Sequence, residues 1–303
     1  MSGKTASGAV TAAGKEKILT PRQERRRQFI KAFFSRKPVY VGFAIIIIMI
    51  ILGVASPLIA PYDPFTQDLR NSLQGPSAAH LLGTDSLGRD VLSRIIYGSR
   101  ASLSVGLVST AIAGCAGIAL GLLSGYLGKI VDAVIMRIMD AMMSIPVIIL
   151  ALFLGAVLGK GLGNVMLCIG IVMIPSYARL TRGQVLAVKQ LDYVTAGKIG
   201  GATRLKNAVN HILPNCLSPN LVLMTMNLGS AILTEASLSF LGMGINPPTP
   251  SWGAMVSDGY TYLSRNPVIA IAPGIFILIT VWAFNVCGDA LRDALDPKLR
   301  GSR

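Results

Sequence analysis

The chain has 303 residues, of which 52% are hydrophobic and only 14% are charged, and its mean hydropathy is +0.60. Soluble domains usually carry about 25% charged residues, so this composition disfavours a soluble enzyme and favours a membrane protein. The formal net charge of +14 is of the kind that suggests a nucleic acid partner. Aromatic residues amount to 6%, however, and are not interleaved with basic ones in the way that stacks bases, so we expect no nucleic acid partner.

Six apolar segments are predicted to cross a membrane. A span needs about 20 mostly apolar residues, and inside lipid every backbone group must find its partner within the segment, which favours helices over isolated strands. The predicted spans are 39–60, 101–126, 135–158, 165–187, 220–241 and 268–286. The first is interpreted as an uncleaved anchor, because its apolar core is longer than that of a secretory signal, about 7–15 residues.

Basic residues are concentrated in three segments that predict the orientation of the spans. Ten Lys and Arg against two Glu give residues 1–38 a charge of +8, six against one Asp give residues 179–206 a charge of +5, and the tail from Asp289 carries +1. Residues 61–100 are neutral. Because cytoplasmic loops carry the excess of Lys and Arg, this distribution fits six spans with both termini in the cytoplasm.

A basic amphipathic helix is predicted at residues 22–37, directly before the first span. Its apolar face carries Phe29, Ile30, Phe33 and Phe34. Such a helix lies in the headgroup layer with its cations toward anionic lipid. Membrane lipid is therefore a predicted partner.

Glycines recur three to eight residues apart in the second predicted span. Small residues at such spacings allow helices to approach closely. The glycines are Gly106, Gly114, Gly117, Gly121 and Gly125. The pattern fits packing within one chain and packing between subunits equally.

The titratable residues form no catalytic constellation in the sequence. The two histidines, His80 and His211, are far apart, and the four cysteines lack the close spacing of a metal site or a disulfide framework. The stretch 155–160 does not match the phosphate-binding pattern G-x-x-x-x-G-K-[ST]. We therefore expect no cofactor or metal site in this chain and no enzymatic activity, so that any ATP would be hydrolysed by another polypeptide.

Three ionisable residues fall inside predicted spans, where charge is costly and is a functional candidate by default. Arg137 and Asp140 are spaced i, i+3 and are predicted to pair on one helical face. Glu235 has no partner nearby in the sequence and lies near the outer end of the fifth span. It is interpreted as reaching the water of the headgroup layer.

The polar segment between the fourth and fifth spans begins at Asp192 and predicts two short helices. Gly201 separates them with a turn, and Pro214 is predicted to end the second one. Ala196 and Gly197 offer a small-residue surface on which another protein can pack closely. This shape suits insertion into a groove, and an ordinary basic loop is the alternative.

This segment resembles the motif E-A-A-x-x-x-G-x9-I-x-L-P of inner-membrane permeases of binding-protein-dependent ABC transporters. The matching residues are Thr195, Ala196 and Gly197 at E-A-A, Gly201 at the glycine, His211 at the isoleucine, and Leu213 and Pro214 at L-P. The spacing from glycine to proline matches in full, whereas Thr195, Gly197 and His211 depart from the consensus. The resemblance implies that these residues, with Asp192, form the loop that docks on an ATPase subunit.

Three further segments narrow the resemblance to the C-type subunit of the peptide/nickel permease family. They read HLLGTDSLGRDVLSRIIYGSRASLSVG from His80, EASLSFLGMGINPPTPSWGAMVSDG from Glu235, and GDALRDALDPKLRG from Gly288. The similarity extends from about Phe33 to the C-terminus. Trp252, within the second of these segments, is equally expected as a membrane anchor and as a contact for a binding protein.

The resemblance implies an all-α membrane protein with six transmembrane helices, the type I ABC importer permease fold and cytoplasmic termini. It implies a multi-pass location in the cytoplasmic (inner) membrane. The expected partners are a second homologous permease in a heterodimer, two ATPase subunits that hold ATP and Mg²⁺, and an extracytoplasmic solute-binding protein. The expected division is a basic tail with an interfacial helix (1–38), the first span (39–60), an external segment (61–100), a permease domain (101–290) with a docking loop at about 188–219, and a tail (291–303).

The function that these observations favour is ATP-driven import of peptides or peptide-like solutes. Within the same family, a nickel chelate, glutathione or an opine is the alternative solute. An ion-coupled secondary transporter and a membrane scaffold that transports nothing are alternatives from other classes.

Overall fold

The computed structural model describes residues 20–201 and 203–295, and these residues are mainly helical. Within these ranges no β-strand forms, and extended pairing is confined to one bridge between Thr84 and Asp90. The helices are α1 (Pro21–Phe33), α2 (Lys37–Val54), α3 (Ser56–Ile59), α4 (Val91–Leu127), α5 (Lys129–Met143), α6 (Val147–Leu158), α7 (Leu162–Val188), α8 (Asp192–Ile199), α9 (Arg204–Asn207), α10 (Leu213–Phe240), α11 (Trp252–Tyr260) and α12 (Val268–Leu295).

Five helical segments of the described chain are long and apolar enough to cross a membrane. They are α2, α4, α7, α12 and the segment Ala208–Phe240, which joins a π-helical turn at Ala208–Ile212 to α10. The bent pair of α5 and α6 makes a sixth if it is counted as one span. The predicted all-α membrane fold with up to six spans is therefore confirmed.

The sequence pattern predicts one continuous helix for the third span, but the structure has two helices there, α5 and α6. α5 and α6 meet at an angle of 98°. The break falls just before Pro146, which has no backbone N–H, and a proline also disfavours helical angles in the residue before it, Ile145. The hydrophobic pattern continues across the break, and this is why apolarity alone does not reveal it.

Several other helix ends differ from their predicted positions. α4 begins at Val91, well before residue 101, because the side chain of Asp90 caps it by accepting the backbone N–H of Ser93 at 2.8 Å. α7 runs without a break through Pro175. A helix covers most of the predicted segment 22–37 as α1, which ends at Phe33, and Phe34, which follows it, packs edge-to-face on Phe43 of α2. Its location in the headgroup layer stays a prediction.

α4 and α7 run parallel and in direct backbone contact at the centre of the bundle. A Cβ atom built on Gly117 would lie 2.4 Å from the Cβ of Tyr177, and one built on Gly121 would lie 2.4 Å from the backbone oxygen of Ala178. Gly125 faces Val185 in the same way. These three glycines therefore serve packing within this chain, one of the two alternatives left open by their spacing.

The remaining two glycines of the stripe face α10, which runs antiparallel to α4. A Cβ on Gly106 would lie 3.1 Å from Ile232, and one on Gly114 would lie 3.2 Å from the sulfur of Met224. α12 in turn packs antiparallel on α10, and Gly229 of α10 faces Val281. The bundle is thus built around α4, which contacts helices on both sides through glycine.

The two ends of the bundle carry different structures. At the end that we call the loop end, α7 leads into α8 and α9, and an ion pair of 2.7 Å between Arg36 and Asp293 joins the start of α2 to the last turns of α12. At the opposite end, residues 60–90 and 241–267 form what we call the cap. A hydrogen bond of 2.9 Å from Asn266 to the backbone oxygen of Gln74 joins its two parts.

The contact of α4 with α7 predicts a large effect of one added methyl group. Gly121→Ala places a carbon against backbone atoms that cannot move aside, and overpacking of this kind costs about 1–3 kcal/mol. We expect a lower midpoint of thermal unfolding in detergent, measured by size-exclusion chromatography after heating. The control is Gly183→Ala in α7, where nothing lies within 4 Å of the added Cβ. Equal midpoints for the two variants would contradict the proposed contact.

Candidate functional site: a helical docking loop

The loop that follows α7 is a compact helical unit. α8 covers Asp192–Ile199, Gly201 has a φ of +82°, and α9 covers Arg204–Asn207. A positive φ favours glycine, so Gly201 permits the reversal between the two helices. The chain then passes through the π-helical turn into α10.

The prediction that Pro214 ends the second helix of the loop is wrong. Pro214 lies in the first turn of α10, so α9, the π-helical turn and α10 run on as one helical segment to Phe240. Proline has no backbone N–H that could donate to the preceding turn. The widened turn at Ala208–Ile212 directly precedes it, which leaves room for its ring.

A small hydrophobic cluster holds the loop on the ends of the central helices. Val194 of α8 and Ile212 of the π-helical turn are fully buried, and they pack with Val185 and Val188 of α7. The side chain of Asn207 donates to the backbone oxygen of Val194 at 3.2 Å, which ties α9 to α8. The loop is therefore continuous in packing with α7.

A lysine adds a polar connection to α4. Nζ of Lys189 donates to the backbone oxygen of Tyr126 at 3.0 Å and lies 5.6 Å from the centre of that tyrosine ring. This bond satisfies a carbonyl at the end of α4, where helical carbonyls lack partners. The ends of α4 and α7 are thus joined at the base of the loop.

The predicted docking residues divide into outward and inward groups. Thr195 and Ala196 are exposed on α8, as is Asp192 in its first turn. Gly197 instead faces the second half of the loop, because a Cβ there would lie 3.4 Å from Oδ1 of Asn207. Gly197 is half-buried and packs within the loop on this side, and its part in a surface for another protein stays a prediction.

His211 and Leu213 lie where the loop enters α10, and both are half-buried. The backbone oxygen of His211 accepts the side-chain amide of Asn215 at 2.8 Å, and the same amide donates to the hydroxyl of Tyr193 at 3.0 Å. The position of His211 is thus connected to α8 through polar contacts of its neighbours. The described residues offer no group of His, Cys, Asp or Glu that would hold a metal ion.

The loop also exposes apolar side chains that the motif comparison did not identify. Ile199, at the end of α8, is 84% exposed, and Val209, Leu191 and Tyr193 are between 42% and 47% exposed. Exposed apolar residues grouped on a small polar unit mark a surface for a partner. The signal available in the sequence was an isoleucine on the face of α8 away from Val194.

Two carboxylates of α5 form ion pairs with arginines of α7. Asp140 accepts from Nη2 of Arg179 at 2.6 Å, and Arg137 is exposed. The predicted pair of Arg137 with Asp140 is therefore wrong, because α7 supplies a guanidinium that reaches the carboxylate first. Asp132 accepts from Arg182 at 2.5 and 2.7 Å, so two ion pairs join α5 to α7 near the loop end.

The interpretation that Glu235 reaches the water of the headgroup layer is wrong. Glu235 is fully buried, and the hydroxyl of Ser239 donates to its Oε1 at 2.7 Å. The cap covers it, because a Cβ on Gly253 of α11 would lie 2.4 Å from Cα of Ala236. Oε2 of Glu235 has no hydrogen-bond partner among the described residues.

Trp252 belongs to the core of the cap end and is not an anchor at the membrane surface. It is fully buried, and its Nε1 donates to the backbone oxygen of Ile95 at 3.0 Å. Gly98 allows this approach, because the ring atom Cδ1 lies 3.2 Å from where a Cβ would stand. The first turns of α4 are therefore fixed to the cap.

A bundle of apolar spans with a folded helical loop at one end and a covered cap at the other defines a multi-pass helical membrane protein. The family model described as binding-protein-dependent transport system inner membrane component matches residues 117–301. A second model, the N-terminal TM domain of oligopeptide transport permease C, matches residues 25–76. The chain belongs to the binding-protein-dependent transport family and is a permease component of an ABC importer, of the C type.

Curated relatives align over nearly the whole chain. The dipeptide transport system permease protein DppC of Escherichia coli (strain K12) is 44% identical over 93% of this chain and 95% of its own length. The di/tripeptide transport system permease protein DppC of Pseudomonas aeruginosa is 42% identical over 91% and 93%. The glutathione transport system permease protein GsiD of Pectobacterium atrosepticum is 42% identical over 90% and 91%.

A solved structure supports the fold. A chain of the inward-facing MetNI methionine ABC transporter superposes with a TM-score of 0.56 at 21% identity, covering 68% of this chain and 98% of that chain. At this identity the likeness shows the fold alone. Membership of the family implies ATPase and solute-binding partners and a location in the inner membrane.

The buried cluster predicts that the loop can be loosened without touching its surface. Val194→Ala removes two methyl groups from a fully buried site, which costs on the order of 2 kcal/mol and, at 1.4 kcal/mol per tenfold, speeds local opening roughly 30-fold. We expect faster hydrogen exchange of the amides in residues 192–212, measured by mass spectrometry. Ile199→Ala, at an exposed site, should leave exchange unchanged. Equal protection in the two variants would refute the anchoring of the loop.

Proposed function

We propose that this permease carries dipeptides or closely related peptide-like solutes and that its α8–α9 loop receives an ATPase subunit. The observation that carries the docking proposal is the exposed apolar tip at Ile199 on a loop whose inner face is locked to α7. A partner that binds this tip and moves can displace the spans, because the loop packs tightly on α7. The names of the relatives, which refer to dipeptide, di/tripeptide and glutathione transport, support the solute class.

The proposed orientation places the loop end in the cytoplasm. The described residues of the basic segments 1–38 and 179–206 lie in or next to elements of this end, and the ion pair of Arg36 with Asp293 brings the start of α2 and the last turns of α12 together there. The positive-inside rule then gives cytoplasmic termini. The cap, which includes most of the predicted external segment, faces the solute-binding protein.

The proposed assembly is a heterodimer with a second, homologous permease and two ATPase subunits. ATP and Mg²⁺ are held by those ATPases, and this chain supplies no ligand to either. Closure of the ATPases on ATP displaces the docking loops, and the displacement passes through α7 to α4 and the other spans. Alternating access to the solute follows from this rigid-body motion.

An ion-coupled secondary transporter receives less support from the site. Such transporters use carboxylates or broken helices near the middle of the membrane. The break between α5 and α6 is one such feature, but Asp140, the carboxylate close to it, is paired with Arg179, and Glu235 is enclosed below the cap with Ser239 as its donor. Uptake that persists after ATP depletion with the proton gradient intact would favour the ion-coupled mechanism.

The docking proposal predicts a specific effect of charge at the loop tip. Ile199→Glu buries a carboxylate in the interface with the ATPase, and loss of a central contact typically costs about 2 kcal/mol, or roughly 30-fold in affinity. We expect the ATPase subunits to be lost on purification and solute-stimulated ATP hydrolysis to fall by at least tenfold in vesicles.

The matched control for this experiment is Ile199→Leu, which keeps an apolar side chain of similar volume. We expect it to retain ATPase binding and transport. The thermal stability of the chain itself should not change in either variant, because the side chain is 84% exposed. Full coupling in Ile199→Glu vesicles would show that α8 does not form the docking contact.

A further inference from the structure

A cavity of about 440 Å³ opens between the two parts of the cap. On one side, its wall includes Arg89, just before α4, and Arg94, in the first turn of α4. On another side it includes Asp258 of α11 and Tyr262, just after α11. Ile245, Pro247 and Thr249 of the 241–251 loop line a further side. Its volume lies within the range of about 300–1,000 Å³ that is usual for small-molecule sites.

The two guanidinium groups of this cavity share a single close carboxylate. Nε of Arg89 lies 2.7 Å from Oδ2 of Asp85, and Nε of Arg94 lies 3.4 Å from the same atom. Oδ1 of Asp85 already accepts the backbone N–H groups of Leu87 and Arg89, at 2.9 and 3.0 Å. Both carboxylate oxygens of Asp85 are therefore already in contact with donors. Its single negative charge offsets only one of the two arginine charges.

Arg89 has hydrogen-bonding capacity left over. Its side chain is only 6% exposed, and in the described part of the chain neither of its terminal nitrogens has a hydrogen-bond partner. Arg94, in contrast, also donates from Nη1 to the backbone oxygen of Pro64 at 3.1 Å. A buried guanidinium with free terminal N–H groups in a cavity is suited to a carboxylate, which it can bind through two parallel hydrogen bonds.

The cavity also carries a negative group on a different element. Asp258 of α11 lines it, and no ion pair within 4.0 Å joins Asp258 to either arginine among the described residues. Asp258 is exposed as a residue. A ligand that is only an anion would be repelled by Asp258, whereas a ligand with both a carboxylate and an ammonium group complements both sides.

We propose that this cavity is a solute subsite in the permease itself, which binds a short zwitterionic peptide with its carboxylate on Arg89 and its ammonium group toward Asp258. Thr249 and Tyr262 line the wall, and each carries a hydroxyl group of the kind that can hydrogen-bond to a peptide unit. The inference deepens the proposed function, on which it rests for the solute class. The peptide would enter this subsite as it leaves the solute-binding protein at the cap.

The test measures binding of L-alanyl-L-alanine to the permease complex, purified with its ATPase subunits but without the solute-binding protein. Saturation-transfer NMR titration gives the dissociation constant for the dipeptide, for its C-terminal amide and for its N-acetyl derivative. We expect both derivatives to bind at least tenfold more weakly than the dipeptide. Equal binding of all three would overturn the assignment of the two charged groups.

Three variants place the binding in this cavity. Arg89→Lys keeps the charge but loses the paired hydrogen bonds, Asp258→Asn removes the carboxylate, and Thr249→Trp fills the space. We expect each to weaken dipeptide binding at least tenfold. Since Arg89→Lys also disturbs the contact with Asp85 and can impair folding, the two other variants, which both change exposed residues, decide the question. Unchanged dipeptide binding in Asp258→Asn and Thr249→Trp would refute the subsite.

Two further outcomes separate this inference from the proposed function. Variants that weaken docking of the solute-binding protein but leave dipeptide binding unchanged would show that the arginines receive a protein carboxylate, and the subsite would be rejected. Uptake of L-alanyl-L-alanine by the complete wild-type system without binding at the permease would also reject it, while leaving the proposed function intact. Failure of the wild-type system to transport any peptide would reject the proposed function itself.

Discussion

Direct contact between the backbones of α4 and α7 is the interaction on which the rest of this structure depends. Gly117 and Gly121 bring the two helices so close that an added methyl group would meet backbone or side-chain atoms at 2.4 Å. Both helices run from the cap end to the loop end. The pair therefore carries one candidate site at each end, with Arg94 near the cap cavity and Val185 under the docking loop.

The polar contacts at the two ends reinforce this pair. At the loop end, Arg182 of α7 holds Asp132 of α5, and Lys189 binds the last carbonyls of α4. At the cap end, the indole of Trp252 binds the first turn of α4. The close-packed interior of a protein switches between discrete arrangements and does not deform continuously. A load applied at the loop is therefore transmitted along α4 and α7 as a displacement of the whole pair.

Composition and hydrophobic runs predicted the helical class and the positions of the spans, because lipid permits few alternatives. They did not predict the break before Pro146, since both sides of it are equally apolar. They misplaced Glu235, because the cover supplied by α11 is a tertiary contact. They assigned Pro214 to a helix end, because hydrophobic runs do not reveal the π-helical turn that precedes it. The docking motif located the loop, but which face is exposed at Ile199 depends on how α8 packs.

The central claim is that the docking loop and the α4–α7 pair move as one body. The most direct test is a pulsed electron spin resonance distance between labels at Lys206→Cys in α9, away from the proposed contact at Ile199, and Leu107→Cys, both exposed sites, with the exposed Cys115 replaced by serine. The account predicts the same distance distribution in the assembled transporter with and without ATP, even as distances to the partner permease change. A nucleotide-dependent shift within this chain would show that the loop swings on α7 and would contradict the account.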